Sequence, residues 1–498
     1  MKPHIQTSAT RSADHVSRSS LPLLPLVLDK VPPELVTVLA QEGVPFVRAT
    51  DPWGRGRFVL FDSRLGPIRP LRFGQMAIDL RRLHGPEGDP LEALRDEGSA
   101  RHRFEIGGLA LSEEIARVDR REQRRRIIDR LRERIEELGG AWVTVSPFPF
   151  PYRSALNFRI DYDRYEADDF TATLAGIAGH EEATSHFVCG AAYESQPEAL
   201  RRLAGLEVGS HGYHHHTYRT EEENYENVRR GIDVLRRAGI EPSGFAAPGG
   251  RFHRGLTAAL ERLGVGHSSE FGLAYDDLPF LPGQSGVLQI PVHPVCLGLF
   301  LEAGASGEKS SVRAAQRAVQ IAVDYFRQTA RAKYRAGEPV FLYGHPTGRL
   351  GRFPQVLGAV FDTADCFAAV WKTTLGRFAD WWQQRGSIRL SVEREGTGYL
   401  VRAERRPRRF PPAIEYWRGR LVARMPLERG MVRFSPSALA YEQRTAPPLV
   451  RPVPLDRPEG LRSRIRRWID WERETPVDEI PRTSWRNWAK RALRKLRS

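Results

Sequence analysis

The chain has 498 residues, with 76 Lys or Arg against 61 Asp or Glu, a formal net charge of +15. A hydrophobic content of 41% with 28% charged residues excludes a disordered chain, and no apolar stretch approaches the ~18–20 residues that span a bilayer. The length predicts two to four domains, and three scattered cysteines, Cys189, Cys296 and Cys366, predict a reducing compartment without a disulfide framework.

Residues 1–20 are rich in Ser, Thr and Arg and are expected to be disordered. Residues 21–110 read as a small α/β domain whose role the sequence does not reveal. Its apolar run 21–28 holds two prolines and runs into Asp29-Lys30 with no small-residue cleavage site, so it is read as a buried strand, not a signal-peptide core. A cytoplasmic location follows as an expectation. Residues 31–43 have helical periodicity ending in Gly, and 44–47 and 57–61 read as strands. A charged helix is predicted over 112–138, within a connecting segment 111–140. Its buried stripe is Ile115, Val118, Ile127, Ile128, Leu131, Ile135 and Leu138, and Arg124–Arg126 lie on its solvated face.

From Trp142 onward strands alternate with helices, so residues 141–387 are expected to form a parallel α/β barrel or doubly wound sheet. Strand 156–160 carries an Asp pair at its C-terminal end. Helix 221–238 opens with the capping box Thr220-x-x-Glu223 and stops at Gly239. A helix at 256–263, strands at 265–268 and 287–292, a long helix at 310–335, a strand running into His345 and a closing helix at 364–385 complete the unit. Residues 388–446 read as a small β-domain, and 447–498 as a Pro-rich linker with a basic tail. Residues 461–498 hold twelve Lys/Arg against five Asp/Glu. Within 484–497, Trp485, Trp488, Leu493 and Leu496 share one helical face and Arg486, Lys490, Arg491, Arg494 and Lys495 the other, a pattern suited to an anionic membrane surface. A helix docked on its own protein fits the same pattern. No segment resembles a nucleic-acid-reading module.

Chemistry concentrates in two segments. In Phe158-Arg159-Ile160-Asp161-Tyr162-Asp163 the two carboxylates are two apart and share a strand face. In Gly209-Ser210-His211-Gly212-Tyr213-His214-His215-His216 the imidazoles of His211 and His215 are four apart and can share one side of a helical turn; His214 is an alternative to His215 on a tighter turn. Two imidazoles and a carboxylate suffice for a borderline divalent ion, and the second carboxylate is then free to act as a base on water. Asp161, Asp163, His211, Pro248, Glu270, His293 and His345 all stand where a predicted strand gives out, where chemistry collects in barrels of this kind.

The run Phe158–Asp163, the histidine motif and Gly244-Phe-Ala-Ala-Pro-Gly-Gly250 together resemble the NodB-homology polysaccharide deacetylases, over roughly residues 145–385. The resemblance implies an α/β fold, a deformed (β/α) barrel of the NodB-homology type, flanked by the N-terminal small α/β domain and the C-terminal β-rich domain. It implies a metal-dependent hydrolase removing acetyl groups from sugars. One divalent ion, zinc foremost with cobalt or nickel as alternatives, would be held by Asp163, His211 and His215. Asp161 would be the base, His345 the general acid with His293 in reserve, and Pro248, Gly249 and Gly250 would supply backbone donors to the oxyanion.

Two departures from the family pattern stand out. The third motif has Ala246 where the family has an arginine that orients the catalytic Asp, and Gly249 where it has an aromatic. Arg159, on the same strand face as Asp161, is the candidate replacement, with Arg251 second. The Asp-x-Asp spacing is similar to a branch that includes atypical peptidoglycan deacetylases and cyclic-imide or allantoin hydrolases. A non-haem iron oxygenase would use the same ligand types on an all-β fold, and a zinc metalloprotease would need a Glu after His211, where Gly212 stands. The surviving alternative is an impaired barrel acting as a glycan-binding or membrane-surface scaffold. The expected substrate is an N-acetylated sugar, free or lipid-linked, at the inner membrane face.

Overall fold

In the computed structural model the described residues are 21–51, 55–83, 88–218, 220–252, 254–272, 276–283, 285–305, 312–404, 409–445 and 453–454. The N-terminal 1–20 and the basic helix expected at 484–497 lie outside them.

Strand Ser154–Tyr162 is buried at all nine positions, as a strand covered on both faces must be. Its residues 156–160 pair in parallel with Val340–Gly344, and 158–162 with Thr184–Val188. The parallel sheet continues through Val208–Ser210, Phe245–Ala246, His267–Ser269 and Leu288–Gln289, while Val370–Lys372 joins alongside Ser154–Leu156. Parallel neighbours need long crossovers, which helices such as Ala167–Gly176, Glu221–Arg237, Arg254–Arg262 and Val312–Ala336 provide. The sheet curls round on itself, and the N–H of His293 donates to Phe341 O across the seam at 2.9 Å. This is the deformed barrel anticipated from the sequence. Helix Glu221–Arg237 starts as expected: Thr220 Oγ1 accepts the Glu223 N–H at 3.3 Å, its hydroxyl donates to Glu223 Oε2 at 2.6 Å, and Gly239 leaves the helix at φ 79°.

Four sequence expectations need correction. Residues 112–116 are not helical but belong to strand Leu109–Ala116, which pairs antiparallel with Ser99–Ile106 through Gly107-Gly108, both at positive φ. His102, Phe104 and Ile106 are buried and alternate with exposed Arg101, Arg103 and Glu105, a period of two. The helix itself runs Arg120–Glu137, capped by Asp119 on the Glu122 N–H at 2.9 Å. Its Arg124 is not solvated: it is buried on Asp276 at 2.8 Å and Glu42, while neighbouring Arg121 meets Asp277 at 2.7 Å. Residues 364–385 break into the end of helix Gln355–Asp365, strand Val370–Lys372 and helix Leu375–Gly386, because Ala369 turns left-handed and Thr374 caps the Arg377 N–H.

The fourth correction concerns Trp142–Val145. This strand does not open the barrel but pairs antiparallel with Ala413–Arg418, whose hairpin partner is Leu421–Pro426. The N-terminal parallel sheet (Phe46–Arg48, Leu26–Leu28, Phe58–Phe61, Met76–Asp79) and the C-terminal strands contribute to one hydrophobic cluster. Leu24, Leu60, Ile128, Trp142, Val392 and Ile414 are all buried within it. The barrel has its own cluster, from Phe158 and Phe187 to Trp381.

Candidate active site

The centre of the sheet delivers the carboxylates. Arg159 and Asp161 alternate on one face of the central strand, and Asp163 follows directly after it. The guanidinium of Arg159 donates to Asp161 Oδ2 at 2.7 Å and to Ser269 O and Oγ at 2.6 and 3.0 Å. It also lies over the Tyr343 ring, 4.9 Å from the centroid. Arg159 and not Arg251 therefore holds Asp161, from the strand neighbouring that of Tyr343. Asp161 Oδ1 is buried and has no hydrogen-bond partner.

His211 follows strand Val208–Ser210. Its Nδ1 lies 2.7 Å from Ala246 O; a carbonyl only accepts, so Nδ1 carries the proton and Nε2 offers its lone pair. The carbonyl of Ala246, the residue that departs from the family pattern, thus orients the His211 imidazole. His211 Nε2 and His215 Nε2 each lie 3.3 Å from Asp163 Oδ1, with the two rings 5.0 Å apart.

The histidine segment is not the helical turn the spacing allowed. It is an irregular loop tied to Asn227 of helix Glu221–Arg237, whose Oδ1 accepts the His214 N–H at 2.8 Å and whose Nδ2 donates to His214 O and His216 O at 3.2 and 3.0 Å. Gly212 needs its left-handed φ of 78° to start this loop, and Asn227 Nδ2 would lie 2.8 Å from any Cβ there. His214 packs edge-on against Tyr213 and His216 against Tyr218. Among the described residues, Asp163, His211 and His215 form the only group able to converge on an ion, with ligand atoms within 4.8 Å of one another.

These three residues fit a divalent ion on an independent ground. Asp163 Oδ1 and His211 Nε2 are buried and lack any hydrogen-bond partner, a state that buried polar atoms avoid unless something else satisfies them. An anion and two imidazole lone pairs facing one point are satisfied together by a cation. Burial alone would raise the Asp163 carboxyl, but His345, His215 and His211 reverse this and hold it well below the usual carboxylate range. Burial likewise opposes protonation of His215, and the Asp163 carboxylate outweighs it and raises that imidazole.

His345 ends strand Val340–Gly344 and places Nε2 3.5 Å from Asp163 Oδ2. A residue that the sequence reading passed over, Arg349, donates from Nη1 to His345 Nδ1 at 2.7 Å. Since a guanidinium only donates, the His345 proton sits on Nε2, facing the site. Burial pushes this imidazole down to about 4, with Asp163 opposing and Arg349 adding to the fall. No local pattern signals this pair, because His345 is extended and Thr347 and Gly348 are non-helical, so the contact is not that of a helical i, i+4 pair. His293 is occupied elsewhere: its Nε2 pairs with Tyr325 OH at 2.6 Å, and burial drives it down to about 3. Glu270 lies inside the barrel against Ser268, and burial pushes its carboxyl up to about 8.

In the turn Pro248–Gly250, Pro248 has no N–H and the Gly250 N–H is bonded to Ala247 O at 2.9 Å. Of the three residues expected to donate to an oxyanion, Gly249 alone is left. Gly250 has a different necessity, since a Cβ there would lie 2.3 Å from the Phe271 ring.

The polysaccharide deacetylase family model matches residues 159–267, a stretch that contains Asp161, Asp163, His211 and His215. Among solved structures, a putative polysaccharide deacetylase from Mycobacterium smegmatis is similar at 19% identity, covering 48% of this chain and 93% of its own, with a TM-score of 0.39. A probable polysaccharide deacetylase from Pseudomonas aeruginosa PAO1 gives 18% identity over 48% and 94%, also with a TM-score of 0.39. A family 4 carbohydrate esterase pseudoenzyme from Bacillus anthracis gives 14% over 47% and 69%, with a TM-score of 0.30. A search of curated proteins finds no match. The family match over residues 159–267 falls on the curled parallel sheet and takes in the Asp/His/His group at its strand ends, so this barrel is similar to the NodB-homology polysaccharide deacetylases in the segment that carries the candidate site.

Proposed function

We propose that the barrel hydrolyses the acetamide of an N-acetylated sugar or glycan precursor with a divalent ion held by Asp163, His211 and His215, zinc being the first choice for this ligand set. The observation that carries the reading is the Arg159–Asp161 pair beside the orphaned Asp163 and His211 atoms. The ion, when bound, supplies Lewis acidity to the acyl oxygen and to water. Asp161, fixed through Oδ2 by Arg159, uses its unbonded Oδ1 to take a proton from the attacking water. Gly249 N–H adds a backbone donor to the developing oxyanion. As the C–N bond breaks, the nitrogen takes up the proton that Asp161 removed, giving acetate and a free amine. Burial, with Arg349 adding to it, disfavours a second proton on His345, so His345 acts as a neutral Nε2–H donor to the leaving side instead of as a charged acid reservoir.

The scaffold alternative drew its support from Ala246. Arg159 meets the need that Ala246 leaves open, so the hydrolase is preferred. The reading extends to a lipid-linked sugar at a membrane face through the Trp/Arg pattern of 484–498, and to a reducing compartment through three free cysteines, Cys189, Cys296 and Cys366. Deleting 484–498 should move the protein from membrane to soluble fractions; unchanged partition would remove the membrane part alone. The primary test is elemental analysis of wild type, Asp163→Ala and His211→Ala, followed by acetate release from N-acetylglucosamine oligomers. About one ion per chain, lost in both variants, is expected for a single three-residue ligand set. Metal-free wild type after incubation with zinc, cobalt or nickel would overturn the reading.

A further inference from the structure

A cavity of about 390 Å³ lies where helix Arg120–Glu137, the start of strand Val340–Gly344 and the C-terminal hairpin meet. It borders Glu338, just before that strand begins, so it opens at the end of the barrel opposite the Asp163 group. Its volume falls within the ~300–1,000 Å³ of small-molecule sites. The walls carry five arginines (124, 125, 132, 420 and 444) against three carboxylates, Glu42, Asp129 and Glu338.

The carboxylates are already engaged. Glu42 faces Arg124, Glu338 faces Arg125 and Arg121, and Asp129 faces Arg132 at 2.6 Å. Arg444 reaches out of the lining to Glu415 at 2.6 Å. Arg420 is exposed on the tight turn between the two hairpin strands and has no carboxylate partner among the described residues. Two further donors are buried and unbonded, Arg132 Nε and Arg444 Nε. Both belong to guanidiniums over the same ring, Trp417, at 5.2 and 4.8 Å from its centroid. Trp142 adds a second indole to the wall.

We propose that this cavity is a binding site for a phosphomonoester whose remaining bulk is a single ring. Guanidinium forks match phosphate oxygens, and with Arg124, Arg125, Arg132 and Arg444 each paired to a carboxylate, the exposed Arg420 is the charge left to receive an anion at the cavity mouth. A phosphate group alone leaves most of the volume empty, whereas a sugar or aromatic ring fills it beside the indoles. The site is independent of the deacetylase chemistry and shares no residue with it.

The two indoles provide the readout. Intrinsic tryptophan fluorescence and isothermal titration are followed on the full chain with N-acetylglucosamine 1-phosphate, phenyl phosphate, inorganic phosphate and neutral N-acetylglucosamine. Saturable binding of one or both esters is expected, with the preferred ester identifying the ring. Arg420→Glu, on an exposed turn, should weaken it by roughly tenfold or more, while Asp163→Ala should leave it unchanged. The proposal is overturned by the absence of saturable binding, by equal binding of neutral sugar or of inorganic phosphate, by indifference to Arg420→Glu, or by loss in Asp163→Ala, which would put the ligand in the other site. Raised melting temperature with ester, absent in Arg420→Glu, provides a second measurement on folded protein.

Discussion

Replacing Arg159 with methionine removes three hydrogen bonds in one step, one to Asp161 and two to Ser269. Methionine fills much of the same volume, so the main loss is charge. Asp161, only 2% exposed, is left as a carboxylate without its counter-charge. Breaking one half of a buried pair costs about 3–5 kcal/mol, mostly the penalty of the stranded partner. For a unit the size of this barrel each kcal/mol lowers the melting temperature by roughly 2–4 °C, so a fall of about 6–20 °C is expected. Differential scanning fluorimetry measures it directly. The double variant Arg159→Met/Asp161→Asn separates causes: it removes the stranded charge and should regain about half the loss. A single variant melting within about 1 °C of wild type, or a double variant no better than the single, would refute the argument that Arg159 exists to hold Asp161.

Asn227→Ala should loosen the His211–His216 loop without touching a ligand, weakening cobalt affinity by about tenfold in a spectroscopic titration; unchanged affinity would mean the loop holds itself. Gly250→Ala should cost about 1–3 kcal/mol in chemical denaturation, since the position has φ 61° and a Cβ would strike Phe271. Glu415 gives a pH prediction. Burial opposes its charge, but Arg444 and Arg424 outweigh burial and hold it at about 2 against an ordinary 4.5. Because its folded value is depressed, its contribution is complete above about 4.5 and is lost as pH falls from there towards about 2. Melting temperature followed down that window should fall less steeply in Glu415→Gln than in wild type; parallel curves would contradict the assignment.

Much of the site was legible because its information is local. An Asp pair at spacing two on a buried strand, a histidine pair after the next-but-one strand and a capping box at Thr220 are short-range patterns with short-range causes. What escaped depends on distant partners. Arg124 reads as solvated in sequence because nothing near it neutralises it; Asp276 and Glu42 do so from elsewhere in the chain. Residues 112–116, the second half of strand Leu109–Ala116, fit a helical stripe in sequence, and the deciding signal, Gly107-Gly108, lies outside the run. Asn227 and Arg349 carry no motif of their own, and only the folded loop shows what they hold.

The cluster shared by the two ends of the chain bears on how the protein is made. Leu23 and Leu24 hydrogen-bond through their backbones with Val392, at 2.7 Å from Leu23 N–H to Val392 O and 3.0 Å from Val392 N–H to Leu24 O. A ribosome therefore releases the first unit with one flank bare, and that flank stays bare until the whole barrel has emerged. The barrel, with its own core, can close in the meantime. The last strands then act as a clasp on the first, so trimming the chain before residue 390 would strip an apolar face from the N-terminal sheet and turn a missing module into an aggregating one.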